Sequence, residues 1–182
     1  ISVYYFQYFV LMMAMEAAMP LISLVIPFYN VEKYIAQCLE SIYNQDIDEH
    51  LYEVILVNDA SPDNSKEIVL DFQKRHSNLL LVEHESNKKL GTARNTGRAI
   101  SKGKYIWNID SDDYLKPNSL KELLEICEAN QLDILMFNFY HYVDNVERLN
   151  TNYPFLESSV YEGIFFINKF CLNSFSEISP VW

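Results

Sequence analysis

From residue 21 onward, short apolar runs alternate with stretches in which apolar residues recur every three or four positions. Leu21-Ile22-Ser23-Leu24-Val25-Ile26 is a nearly continuous apolar run stopped by Pro27, the pattern of a parallel strand buried on both faces. Tyr34, Ile35, Cys38, Leu39 and Ile42 follow at helical spacing. Residues 52–57 predict a second buried strand ending at Asn58-Asp59, and Ser61-Pro62 offers a cap and a first-turn proline for a helix through Ile68, Val69 and Phe72. Residues 79–82 predict a third strand, and residues 91–100 a short helix closed by Lys102-Gly103. Tyr105-Ile106-Trp107-Asn108-Ile109 reads as a fourth strand that delivers Asp110-Ser111-Asp112-Asp113 at its C-terminal end. After Pro117, Leu120, Leu123, Leu124 and Cys127 sit at i, i+3, i+4 and i+7, an amphipathic helix. Residues 134–140 predict a fifth strand, and a helical stretch is expected near residues 162–171. Strands alternating with helices of this length predict an α/β fold with a mostly parallel sheet flanked by helices.

The first nineteen residues break this rhythm. Residues 3–15 are almost uninterruptedly apolar, yet shorter than the roughly 20 residues that cross a bilayer, and no basic stretch precedes them as in a signal peptide. Because residue 1 is Ile and Met19-Pro20 stands just before the first regular pattern, translation is expected to start at Met19. Residues 1–19 are then an apolar extension that is not native, and residues 20–182 the folded domain.

A chain of 182 residues is the size of one domain. With 14 Lys+Arg against 25 Asp+Glu, the net charge of −11 speaks against a nucleic-acid partner, since no basic surplus exists to replace phosphate counterions. An anionic substrate would need a bound divalent cation instead. Cys38, Cys127 and Cys171 are too few and too scattered for a disulfide framework or a zinc site and read as buried reduced thiols. The glycines at 91, 97, 103 and 163 assemble neither GxGxxG nor a Walker A loop, which excludes a standard dinucleotide-binding dehydrogenase and a P-loop NTPase.

In open α/β sheets the ligand lies beyond the carboxyl ends of the strands, so the polar residues there carry the argument. The first strand ends in Pro27-Phe28-Tyr29-Asn30-Val31-Glu32, the second in Asn58-Asp59-Ala60-Ser61, and the fourth in Asp110-Ser111-Asp112-Asp113. Three carboxylates in four residues repel one another, and a hard cation with oxygen ligands relieves this. Mg²⁺ or Mn²⁺ suits such a site, because it keeps waters and takes ligands from a phosphate substrate. Taken singly, each segment also has a plain reading: a solvated turn for 110–113, turn and cap chemistry for 58–61, packing for Tyr29, a surface charge for Arg94. Their convergence on one edge of the predicted sheet favours a site.

Pro27-Phe28-Tyr29-Asn30-Val31-Glu32-Lys33-Tyr34, Val57-Asn58-Asp59-Ala60-Ser61-Pro62-Asp63-Asn64-Ser65, Gly91-Thr92-Ala93-Arg94-Asn95 and Asp110-Ser111-Asp112-Asp113 resemble, in order and spacing, the motifs of the family 2 glycosyltransferases with a GT-A fold. The likeness runs from about Leu21 to Pro117 and less distinctly beyond. It implies that Pro27, Tyr29 and Glu32 border the base and ribose of a nucleotide-sugar donor, and that Asp59 accepts a hydrogen bond from the base, usually uracil. It further implies that Arg94 lies beside the nucleotide, that Asp110 with Ser111 faces the ribose, and that Asp112 holds the metal, Mg²⁺ or Mn²⁺, against the diphosphate. Asn58 and Ala60 stand where the family commonly has Asp and Gly.

The resemblance implies inversion by direct displacement, with a glycan or lipid-linked glycan as acceptor and a carboxylate as base. No carboxylate after Asp113 matches such a base; Asp133, Asp144 and Glu147 flank a strand and its following loop. The chain is therefore expected to be a donor-binding part that stops near the start of the acceptor half, a binding fragment with little turnover. A nucleotidyltransferase would carry a glycine-rich loop after its first strand, and residues 27–30 contain no glycine. The expected setting is the cytoplasm, extending to peripheral association with the inner face of the membrane.

Overall fold

The computed structural model describes residues 19–143 and 146–149, and the chain divides into two units, residues 1–126 and 127–182. In chain order the regular elements are β1 (Ile22–Phe28), α1 (Ile35–Tyr43), a 3₁₀ turn (Glu49–Leu51), β2 (Tyr52–Asn58), α2 (Ser65–Gln73), β3 (Leu79–Glu83), α3 (Lys89–Ile100), β4 (Tyr105–Asn108), α4 (Ser119–Asn130), β5 (Tyr140–Val143) and β6 (Val146–Leu149). The first four strands form one parallel sheet in the order β3-β2-β1-β4. After β3 the chain crosses to the far side of β1, so the direction of winding reverses between β1 and β4. That reversal leaves a crevice beyond the strand ends, where ligands of open α/β sheets bind.

The apolar runs are continuous because both faces of β1 and β2 are covered. Leu24, Ile26 and Phe28 of β1 and Val54 and Leu56 of β2 pack on one face with Ile35, Leu39 and Ile42 of α1, Val69 and Phe72 of α2, and Leu120 and Leu124 of α4. Val25, Ile55 and Val57 point the other way and meet Ala93 of α3. A β-carbon on Gly97 would fall 2.4 Å from Val25 Cγ1 and 3.3 Å from Val57 Cγ2, so glycine is what lets α3 lie this close to the sheet. Ser23, fully buried in β1, is explained by its partners. Its hydroxyl donates to Glu53 Oε1 at 2.6 Å and accepts the Gly103 N–H at 2.9 Å, while Lys102 N–H donates to the same Glu53 oxygen at 2.6 Å. These bonds tie the α3–β4 connection to the strands.

Several sequence expectations are corrected. Pro27 does not stop the first strand but lies within β1, paired in register with Val57. Val25 O accepts from Ile109 and Phe28 O from Asp59, so alternation turns the Pro27 nitrogen toward the β4 side. There the pairing has already ended at Val25 and Asn108, and the missing N–H forfeits no ladder bond. Ser61 does not cap α2, which begins at Ser65; its hydroxyl donates to Asp63 Oδ1 at 2.6 Å and accepts the Asn30 N–H at 2.7 Å.

The fifth strand expected over residues 134–140 is also displaced. Residues 134–139 have no regular structure, with Ile134, Met136, Phe137 and Phe139 exposed, and β5 starts at Tyr140 and pairs antiparallel with β6. An apolar run becomes a buried parallel strand only where the sheet offers it a partner, and of this run only Tyr140 belongs to a strand, paired with Leu149 of β6. Cys38 and Cys127 are buried thiols, as expected. Cys171, the helical stretch near 162–171 and residues 1–18 lie outside the described residues.

Candidate functional site

Two loops that leave the sheet at β1 and β2 are locked together by hydrogen bonds. Asn30 and Ala60 both adopt left-handed backbone, with φ of 57° and 59°, which turns each loop back over the strand ends. Asp63 is the hub: its Oδ2 accepts the Glu32 N–H at 2.9 Å and its Oδ1 the Ser61 hydroxyl and the Ser65 N–H. Burial opposes its charge, but the hydroxyls of Ser61 and Ser65 and the N–H groups of Glu32 and Ser65 outweigh it and hold the carboxyl at about 2. In return Glu32 Oε2 accepts the Asn64 N–H at 3.1 Å and Ser65 Oγ accepts the Val31 N–H at 3.2 Å. Residues 30–34 and Asp63 line a concavity of about 360 Å³. A second hollow of about 470 Å³ runs along Glu67, Leu70 and Gln73 of α2 and Lys74 just after it and holds none of the strand-end residues.

Of the residues singled out from sequence, Pro27 is buried at the end of β1 and Tyr29, just beyond it, is 47 % exposed. Glu32 is exposed and serves as a tie between the two loops. Asp59 is buried; its Oδ1 accepts from His84 Nδ1 at 2.7 Å and from the Lys88 N–H at 2.8 Å. Burial alone would raise its pKa, yet the His84 ring and the N–H groups of Lys88 and Lys89 together lower it, so Asp59 is a buried carboxylate that remains charged at neutral pH.

Beyond β4, Arg94 Nη2 of α3 donates to Asp110 Oδ1 at 2.5 Å, which brings two of the expected residues together and leaves Arg94 Nε buried without a hydrogen-bond partner among the described residues. Ser111 is buried, and Asp112 and Asp113 are exposed. Negative charge accumulates here: burial, then the neighbouring Asp112 and Asp110, raise the Asp113 pKa. Burial and the charges of Asp113, Asp112 and Asp110 push the Cys38 thiol to about 12.

Among the described residues, no three His, Cys, Asp or Glu side chains are grouped to hold a metal ion. The donor set is two exposed carboxylates, Asp112 and Asp113, beside Asp110, which is already paired with Arg94. That is too little for an all-protein cage, yet it fits Mg²⁺ or Mn²⁺, which takes one or two carboxylates and completes its shell with water and substrate phosphate. Asp133 and Glu147 belong to the second unit, Glu147 being exposed on β6; Asp144 lies outside the described residues.

Sequence reasoning missed Asp63, His84 and Thr96. His84 follows β3 directly and spans from Asp59 to Thr96 Oγ1, the latter at 2.9 Å. The signal was available: a polar residue at the end of the third strand, judged by the same rule as the other strand ends. Among the described residues no helix is long and apolar enough to cross a membrane.

Comparison with known proteins matches residues 23–176 to the model of glycosyl transferase family 2. An uncharacterized glycosyltransferase of Bacillus subtilis, EpsJ, is 42% identical over 121 residues, covering 66% of this chain and 34% of its own. The poly(ribitol-phosphate) β-glucosyltransferase of Bacillus spizizenii is 39% identical over 63% of this chain and 18% of its own. Among solved structures, residues 1–349 of Staphylococcus aureus TarS in complex with UDP-GlcNAc align with a TM-score of 0.58 and 32% identity, over 60% of this chain and 32% of TarS. A Pyrobaculum calidifontis mannosyltransferase in complex with GDP-Man and Mn²⁺ aligns with a TM-score of 0.52 and 27% identity, over 55% of this chain and 30% of that one. The chain thus spans about a third or less of the length of each.

Proposed function

The chain belongs to glycosyl transferase family 2, and from that membership we propose that it binds a nucleotide-diphosphate sugar, a UDP-sugar, at the strand ends described above. The observation that carries this reading is the buried, charged Asp59 standing on the same sheet edge as the Arg94–Asp110 pair. A buried carboxylate kept ionised is a costly arrangement; the His84 ring and the Lys88 and Lys89 N–H groups keep it charged, and a base N–H is the further donor that this reading directs at it. UDP is favoured over GDP because the UDP-GlcNAc complex is the more similar of the two donor-bound neighbours.

In this reading Pro27 and Tyr29 border the base, with Glu32 holding their loop against the next through Asn64. Arg94 pairs with Asp110 and orients it toward the ribose beside Ser111, and Asp112 holds Mg²⁺ or Mn²⁺. A cation bound there supplies Lewis-acid stabilisation of the charge that grows on the departing diphosphate. The protein's own contribution is to present that carboxylate outward and to hold the nucleotide so that the anomeric carbon faces an incoming hydroxyl. Displacement from the opposite face inverts the anomeric centre, and a glycan or polysaccharide hydroxyl is the acceptor, a choice supported by the B. spizizenii relative, named for glucosyl transfer to a poly(ribitol-phosphate) polymer.

Calorimetric titration with UDP, with and without Mn²⁺, tests the reading. UDP should bind, Mn²⁺ should tighten it, and Asp112→Asn should remove the metal effect while UDP alone still binds. No UDP binding overturns the donor assignment; affinity unchanged by chelation overturns the metal assignment alone.

A further inference from the structure

His84 has a side chain only 5% exposed, and both ring nitrogens are engaged: Nδ1 with Asp59 Oδ1 at 2.7 Å and Nε2 with Thr96 Oγ1 at 2.9 Å. Its backbone N–H also donates to Asn58 O at 2.9 Å, which fixes where the ring starts. An ionised carboxylate only accepts hydrogen bonds, and Asp59 is held in that form, so the proton sits on Nδ1. In the neutral ring Nε2 then accepts from the Thr96 hydroxyl. One carboxylate oxygen, Oδ1, receives both the ring N–H and the Lys88 N–H at 2.8 Å. With Oδ1 committed twice and the Lys89 N–H also supporting the carboxylate, its rotation about the Cβ–Cγ bond is determined, and with it the direction of Oδ2.

We propose that His84 is a positioning residue: anchored on α3 by Thr96, it sets the rotation of Asp59 so that Oδ2 accepts the N3–H of a uracil base. The proposal rests on the reading of Asp59 as the base-binding carboxylate. Three elements then cooperate in base recognition, β2 through Asp59, the end of β3 through His84 and α3 through Thr96. Because Arg94, which pairs with Asp110, lies on the same helix, α3 tethers both ends of the donor site. The alternative is a buried histidine that merely satisfies a buried acid. The two differ in what the base feels: cytosine presents a lone pair at N3 where uracil presents N–H, so an oriented Oδ2 rejects one and holds the other, whereas simple loosening of the fold weakens both alike.

The experiment is calorimetric titration of UDP and CDP into the 182-residue chain and its Asp59→Ala, His84→Ala, His84→Asn and Thr96→Val variants. His84→Ala should weaken UDP about tenfold, the size expected for losing orientation of a charged hydrogen bond, while CDP changes less than about twofold. His84→Asn, whose amide N–H replaces Nδ1–H, should stay within about threefold of the parent for UDP, and Thr96→Val should lower the UDP-to-CDP preference by an intermediate factor. His84→Ala binding UDP like the parent, or losing UDP and CDP equally, overturns the proposal, as does His84→Asn failing as badly as His84→Ala. Should His84→Ala not fold, His84→Asn and Thr96→Val decide: an unchanged UDP-to-CDP ratio in Thr96→Val overturns the anchoring. Asp59→Ala binding UDP normally overturns the reading of Asp59 itself; Asp59→Ala losing UDP while His84→Ala keeps it overturns only the positioning role.

Discussion

Asp63→Asn removes the charge at the hub of the two loops and keeps one accepting oxygen, while its NH2 replaces the other acceptor, a loss that does not vary with pH. In the folded protein the carboxyl stands at about 2 against an ordinary 3.8. At about 1.36 kcal/mol per pH unit this difference amounts to about 2.4 kcal/mol. Asp63 is partly open to solvent, which screens such interactions, so the expected contribution is about 1 kcal/mol. The folded value lies below the unfolded one, so this stability is present above the unfolded value near 4 and is lost as pH falls through about 2. Linkage places about half of the loss above pH 3. Urea unfolding followed by circular dichroism, at pH 6 and pH 3, should show the parent more stable than Asp63→Asn by a gap that narrows by about 0.5 kcal/mol from pH 6 to pH 3. A stability gap that is the same at both pH values would refute the argument, because it would mean that the variant loses packing or geometry and not a folded-state carboxylate.

Three further outcomes follow from the geometry. Gly97→Ala should destabilise the fold by about 1–3 kcal/mol through overpacking against Val25; urea unfolding measures it, and a neutral result would mean that α3 lies farther from the sheet. Ala60→Gly relieves a left-handed backbone position and should raise stability by about 0.5–1 kcal/mol, the steric relief less the added chain entropy of glycine; a loss in the same assay contradicts it. Cys38, buried with its thiol near 12, should react with a disulfide reagent only as fast as the protein opens when Cys127 and Cys171 are replaced by serine, and rapid labelling of native protein would show that the thiol is accessible.

The local pattern predicted the first four strands and four helices because the strands are short apolar runs and the helices recur in apolar residues every three or four positions. It failed where the outcome depends on a neighbour. Pro27 is tolerated inside β1 only because the β4 pairing has already ended beside it, and nothing in residues 21–28 reveals where β4 stops. Ser61 resembles a helix cap in isolation, yet Asn30 and Asp63 recruit its hydroxyl, and Asn30 is thirty-one positions away. The apolar residues 134–139 resemble a buried strand, yet they carry no regular structure.

By itself the sequence determined the parallel α/β arrangement, the edge of the sheet where chemistry collects, and the resemblance that the family match then established. It did so because buried strands, their terminating turns and acidic strand ends are written in contiguous residues. Tertiary structure alone decided which of those residues act together. Glu32, expected beside the nucleotide, spends its carboxylate on Asn64, while Asp59 is held by His84 and His84 by Thr96, partners twenty-five and twelve positions apart. A hydrogen bond depends on distance and direction in space, and for residues on separate elements these exist only after the sheet has brought β2, β3 and α3 side by side.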